Sequence, residues 1–322
     1  MRAYSTQLDH NLSHFDNQPL AEVMETAGLN FTVKKEPCYQ LIGDDIHPIP
    51  NKFVISRVDN NTPLGIVGPA YVPYQNNELA SFLKTFQDLT GGSVERAGFM
   101  NNGACVWAMV KSETHEVIHG DPSEDLFLVR NTFDGSSSLD IGFINRRVVC
   151  NNMIHAAYRG SDSHFNIQHT RNMRLIVRGI ETVMIKQKTH AENTRGLLGE
   201  FAQKRITHQG ILALTERLIA PKKTVPLSGS KDVILFNPAQ PEEKGPKAIS
   251  KIMELVETGL GTDIPGVRGS VYGWLQAVTE YVDHHRPIRS KDKDEEEARF
   301  NVIMFGAGAR LKTEAFRLAM AA

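Results

Sequence analysis

Arginine and lysine crowd the middle of this chain: Arg146, Arg147, Arg159, Arg171, Arg174, Arg178, Lys186, Lys188, Arg195, Lys204 and Arg205. A guanidinium is always charged and presents a planar fork that fits phosphate oxygens. Arg171, Arg174 and Arg178 recur at helical spacing, so as a helix they would line one face over about 10–15 Å. Phe143, Tyr158, Phe165 and His169 interleave with these cations, offering rings on which unpaired bases can stack. The candidate nucleic-acid contacts are therefore Arg146, Arg147, Arg159, Arg171, Arg174, Arg178, Lys186 and Lys188, with the four rings as stacking platforms. The competing role for the same cations is pairing with carboxylates, within the chain or across a subunit interface, and composition weighs the two roles equally.

The charge distribution sharpens that choice. Thirty-six basic and 37 acidic residues leave a formal net charge of −1, yet residues 1–140 hold 9 Lys and Arg against 18 Asp and Glu. Residues 141–223 hold 14 against 5, and residues 224–322 hold 13 against 14. A strongly positive segment repels itself unless it meets acids, either those of the N-terminal third or phosphates.

Other chemistry is sparse. The sequence contains no Walker-type phosphate loop, GxSxG, HExxH or dinucleotide fingerprint. The carboxylates Asp44, Asp45, Glu124, Asp125, Asp134 and Asp140 lie in or beside turn-forming stretches, where Asp closes the backbone by hydrogen bonding. Asp283, His284 and His285 form the densest metal-like group, but adjacent histidines on a helix face different directions. No catalytic residue, metal or cofactor is assigned. Cys38, Cys105 and Cys150 are odd in number and widely spaced, which suits buried thiols in a reducing compartment.

With 41% apolar and 23% charged residues the composition is that of a soluble globular chain, which excludes global disorder and collagen-like or coiled-coil repeats. No apolar run approaches the roughly 18 residues needed to cross a bilayer, and the N-terminus lacks an apolar signal core. The expected location is the cytoplasm, with no membrane partner.

The elements that must position these residues follow from periodicity. Residues 5–29 read as a weak helix ending at Gly28. Short runs at 38–42, 52–58, 64–71, 98–100, 104–111, 125–130 and 139–150 are rich in Val, Ile, Phe and Tyr and separated by turn residues. Asn101-Asn102-Gly103, the stretch 134–138 and the stretch 59–63 supply the turns. Only residues 78–89 interrupt with a helix, on an apolar stripe of Leu79, Phe82, Leu83 and Phe86. From Phe165 a helical run of about fifty residues follows, then a Pro/Gly/Ser-rich loop at 221–246. Helices are predicted at 247–258, 269–284 and 294–321, with Trp274, Val278, Tyr281 and Val282 as core and a helix break or close approach near Gly306 and Gly308. The fold class is α+β: a mostly antiparallel sheet with hairpins through residue 165, a long cationic helix packed on it over 166–220, and a helical C-terminal part over 247–322.

Three stretches carry a resemblance: GIVGPAYVPYQNNELASFL at 65–83, LDIGFINRRVVCNNMIHAA at 139–157 followed by IQHTRNM at 167–173, and YGWLQAVTEYVDHHRPIR at 272–289. Together with FGAGARLKTEAF near the C-terminus they resemble a phage/plasmid-like family catalogued as a domain of unknown function. That resemblance implies kinship with single-strand annealing proteins of the RecT, Erf and Rad-fifty-two type, whose curved antiparallel sheet and long helix assemble into rings or filaments around single-stranded DNA. The matching basic positions are Arg146, Arg147, Arg171 and Arg286, with Asn151, Asn152 and His169 beside them.

The function expected is thus ATP-independent annealing of single-stranded DNA in the host bacterial cytoplasm, by a homo-oligomer serving homologous recombination for a phage or plasmid. Two alternatives are a non-catalytic assembly protein of a mobile element, and a metal-dependent nucleic-acid enzyme in which Asp134, Asp140 or Asp283 converge on Mg²⁺.

Overall fold

A computed structural model describes residues 15, 18–156, 164–219, 245–288 and 295–322. It is an α+β fold with two antiparallel sheets. The smaller holds β1 (Val33–Ile42), β2 (Asp45–Arg57) and β3 (Pro63–Val67) in that order. The larger runs β4 (Ser93–Met100), β5 (Cys105–Ile118), β6 (Asp121–Thr132), β7 (Leu139–Arg147) and β8 (Asn152–Ile154), with β9 (His164–Ile167) pairing the first half of β7.

The expected turns are in place, for the reason that chose them. Asn101, Asn102 and Gly103 all take positive φ between β4 and β5, and Asn61 does so between β2 and β3. Asp134 closes the β6–β7 turn by accepting from the Ser136 amide at 2.9 Å. The helices are α1 (Leu20–Thr26), α2 (Asn76–Thr90), α3 (Met173–Arg178), α4 (Ile180–Gln203), α5 (His208–Ile219), α6 (Gly245–Thr258), α7 (Val271–Glu280), α8 (Glu295–Met304) and α9 (Ala307–Ala321). A π-helical turn, Tyr281–His285, extends α7.

Two predicted helices are divided. The run from Phe165 begins as strand β9, breaks at Gly179 between α3 and α4, and stops again at Lys204. There the backbone turns aside to bond residues 269–271, through Ile206 N to Gly269 O and Val271 N to Lys204 O, both at 3.0 Å. The last helix divides at Gly306, which caps α9 in a non-helical conformation and where a Cβ would sit 3.0 Å from Val302 Cα. Only part of the expected 5–29 helix, α1, and little of the 221–246 loop lie within the described residues.

The large sheet is buried on both faces. One face packs Val106, Ala108, Val110, Phe127, Val129, Ile141 and Phe143 beneath α2 and α4, whose Leu79, Phe82, Phe86, Leu198 and Phe201 are buried. The other packs Trp107, Met109, Leu126, Leu128 and Ile144 against Phe300, Ile303 and Met304 of α8, with Trp107 and Phe300 rings 4.3 Å apart. All ten residues of α7 are buried, Trp274 and Val278 among them, and Tyr281 and Val282 beyond it are buried too. A helix apolar on every side belongs in an interior, and α7 occupies one.

Half of the small sheet stands apart. Beyond Cys38 the β1–β2 hairpin leaves the core, and its tip, turning through Gly43 at φ +63°, is exposed on both faces. Five residues at about 3.3 Å each make this an arm of roughly 17 Å.

Candidate functional site

β7 places the first two candidate cations in the interior. Arg146 donates to both carboxylate oxygens of Glu95 in β4, at 2.6 and 2.7 Å, and to Glu124 in β6. Glu124 lies directly opposite Arg146 in the β6–β7 register and also takes the Lys111 ammonium at 2.5 Å. Burial disfavours the Glu124 charge, but Lys111 and Arg146 outweigh it and hold the carboxyl below its usual range.

Arg147, on the opposite face, is almost wholly buried. It donates Nε to Asp121 at 2.7 Å, Nη1 to Leu260 O at 2.8 Å and Nη2 to Gly261 O at 3.0 Å. Tyr272 donates its hydroxyl to the same Asp121 at 2.9 Å. Gly261 has φ +74°, and a Cβ there would sit 2.5 Å from Arg147 Nη2. Arg146 and Arg147 therefore do not face an external polyanion. They are interior clamps, and the expectation that they track phosphate is corrected by their carboxylate partners.

The helical cations divide. Arg174 is exposed but pairs with Glu78, the residue that also accepts from the Gln75 amide to cap α2. Arg195 on α4 donates Nε to Asp125 at 2.7 Å and pairs with Glu113 at 2.7 Å. Arg171, Lys186, Lys188, Lys204 and Arg205 are exposed. Arg159 and Tyr158 lie outside the described residues, as does the side chain of Arg178.

The proposed stacking rings are largely structural. Phe143 is core, edge-on to Phe127 and to His190. His169 is buried, bonds Asn131 Oδ1 at 2.7 Å and stacks on Tyr71 at 4.9 Å. Burial pushes its imidazole down to about 4, so it is neutral at pH 7. Phe165 is half-buried against the core. These rings already have partners inside the fold, which removes Phe143 and His169 as base platforms. Of the other matching positions, Asn152 donates to Gln276 O and Oε1 at 3.1 Å, and Arg286 is half-buried beside the π turn.

The carboxylates do not converge. Asp140 holds Arg130, Ser137 and Ser138, whereas Asp283 accepts from the Met153 amide at 2.9 Å and from Lys312, a fully buried ammonium, at 2.6 Å. Among the described residues no group of three or more His, Cys, Asp and Glu is placed to hold a metal ion.

What periodicity missed is a groove of about 250 Å³ between the C-terminus of α2 and the first half of α4, floored by β5 and β6. Its apolar walls are Leu89, Phe127, Ile185 and Ala191, and Lys188 stands on its rim. Asp125 lies at the floor, its carboxyl pushed up to about 6 by burial against the pull of Arg195. His115 is 3.8 Å from Asp125, and burial lowers it to about 4. Glu113 and Asp125 share the single Arg195 guanidinium, so with Lys188 the groove lining carries two charges of each sign.

A family model described as a domain of unknown function (DUF932) matches residues 63–304. The chain belongs to the DUF932 family. The DUF932 match contains the large sheet, the Arg146 and Arg147 clamps and the groove, while the β1–β2 arm lies before it. No curated protein and no solved structure matches the chain. No helix among the described residues is long and apolar enough to cross a membrane.

Proposed function

We propose that this DUF932 protein is a non-catalytic assembly protein that works by associating with further copies of itself. The observation that carries the reading is the arm: Tyr39, Leu41, Ile42 and Ile46 are 59%, 70%, 57% and 71% exposed on one hairpin. Single exposed apolar residues are ordinary, but a cluster of four at the end of a projecting hairpin marks an interaction surface. Pairing of Arg146, Arg147, Arg174 and Arg195 by the chain's own acids also takes four of the eleven mid-chain cations out of the row on which a polyanion would lie. Sedimentation velocity over a hundredfold range of protein concentration tests the reading. Discrete species larger than the monomer are expected, and a monomer throughout overturns it.

A second reading, binding and annealing of single-stranded DNA in a phage or plasmid setting, is supported by the exposed cations Arg171, in the turn before α3, and Lys188 on α4, and by the resemblance to annealing proteins. Affinity for a fluorescent oligonucleotide would then fall steeply with salt, since each phosphate contact releases counterions. Replacing Arg171 and Lys188 together by Ala would reduce both affinity and salt slope. A flat salt response counts against it.

A further inference from the structure

We propose that the groove between α2 and α4 is a binding site for a small zwitterion, its cationic end held at Asp125 and Glu113 and its anionic end at Lys188. Such binding is independent of self-association. The charged side chains of the lining sum to zero, but they are spread unevenly along it. Ile185, Lys188, Ala191 and Arg195 recur at helical spacing on the groove side of α4, which sets Lys188 and Arg195 two turns, about 10 Å, apart. At the Arg195 end two carboxylates share one guanidinium, whose Nη2 lies 2.7 Å from Glu113 Oε2 and 2.6 Å from Asp125 Oδ2. That end carries one negative charge in excess, and the Lys188 end one positive. A neutral molecule with separated charges matches both ends, whereas a simple cation or anion matches one and is repelled by the other.

Hydrogen bonding at the acidic end has capacity to spare. Asp125 is buried, and its Oδ2 also takes Arg195 Nε at 2.7 Å, while Oδ1 receives the Asn145 amide at a long 3.3 Å. A carboxylate accepts about four hydrogen bonds, so Oδ1 has room for an ammonium. The His115 ring stands 3.8 Å from Oδ1, too far to fill that place. The remaining walls, Leu89, Phe127, Ile185 and Ala191, are apolar, and Ala191 lies between Lys188 and Arg195 on α4, where its single methyl leaves space for a hydrocarbon chain. Since a cavity of about 150 Å³ admits benzene, one of about 250 Å³ suits a molecule of roughly ten non-hydrogen atoms. That is the scale of an ω-amino acid.

Isothermal titration of the full chain with 6-aminohexanoate tests this, with hexylamine and hexanoate as probes that each keep one end. Low salt and pH 7.5 are the conditions, because burial raises the Asp125 carboxyl to about 6 and it is ionised there. The zwitterion is expected to bind about tenfold more tightly than hexanoate, which forgoes the buried Asp125, and about fivefold more tightly than hexylamine, which forgoes the exposed Lys188. Lys188→Ala is expected to reduce its affinity to that of hexylamine, and Asp125→Asn to that of hexanoate. Should Asp125→Asn lose its native circular dichroism, Lys188→Ala decides alone, since position 188 is exposed. A zwitterion that does not bind, or binds no better than the one-ended probes, overturns the site. A preference that survives Lys188→Ala overturns its placement in this groove.

Discussion

Every residue of β7 is buried, two arginines included, whereas the outer halves of β1 and β2 expose Tyr39, Leu41, Ile42 and Ile46 on a hairpin clear of the core. One sheet has charge inside and the other has hydrocarbon outside. In each the local composition is the reverse of what its surroundings favour, and the two reversals have different remedies. The arginines are satisfied within the chain, each by carboxylates, and Arg147 also by two carbonyls. Among the described residues the arm has no such remedy.

The largest effect is expected from breaking the interior clamp. Arg147→Ala leaves Asp121 buried without its cation and frees the Leu260 and Gly261 carbonyls, which costs about 3–5 kcal/mol and is read as a large drop in the denaturation midpoint. A smaller effect comes from Glu280, which lies near the same clamp and is pushed up to about 7 by burial, while the Leu260 amide it accepts pulls the other way. A carboxyl raised in the folded state contributes stability fully present below its unfolded value near 4.5 and lost as pH rises through about 7. Glu280→Gln keeps an acceptor for Leu260 and removes the buried charge. It is expected to stabilise by about 1–2 kcal/mol at pH 8, with a smaller gain at pH 5, in thermal melts at the two pH values. The smallest effect on stability belongs to the arm: Leu41→Asp with Ile46→Asp is expected to shift unfolding by no more than about 0.5 kcal/mol, since both sites are exposed in the monomer. If that double variant proved strongly destabilising, the arm would be packed against its own chain and the comparison between the sheets would collapse.

Local chemistry in the sequence carried much of the architecture. Asn101-Asn102-Gly103 could close a hairpin because these residues tolerate positive φ, and Trp274 with Val278 fell on a helix face that had to be core. Gly179 was harder to weigh, since one glycine is tolerated in many helices, and here it ends α3. The arm was half legible: strands were expected at 38–42 and 52–58, whereas β2 begins at Asp45, and Pro48 and Pro50 are permitted within it on a projecting edge.

The candidate site was least legible because its deciding contacts are distant in sequence. Glu95 and Arg146 are separated by 51 residues and Leu260 and Arg147 by 113, so no spacing rule joins them. The opposed charge of residues 1–140 and 141–223 did foreshadow pairing between them, and Arg146 to Glu95, Arg147 to Asp121, Arg174 to Glu78 and Arg195 to Asp125 all run from one segment to the other.

All three cysteines of the chain are buried, and burial raises the thiols of Cys105 and Cys150 to about 12. Neither forms appreciable thiolate near neutrality, so the nucleophile that alkylating reagents and disulfide exchange require is scarce in the native protein. Cys105 and Cys150 would consequently contribute little to any redox response of the protein. A cysteine placed at position 41 would take up a maleimide dye far faster than Cys105 or Cys150.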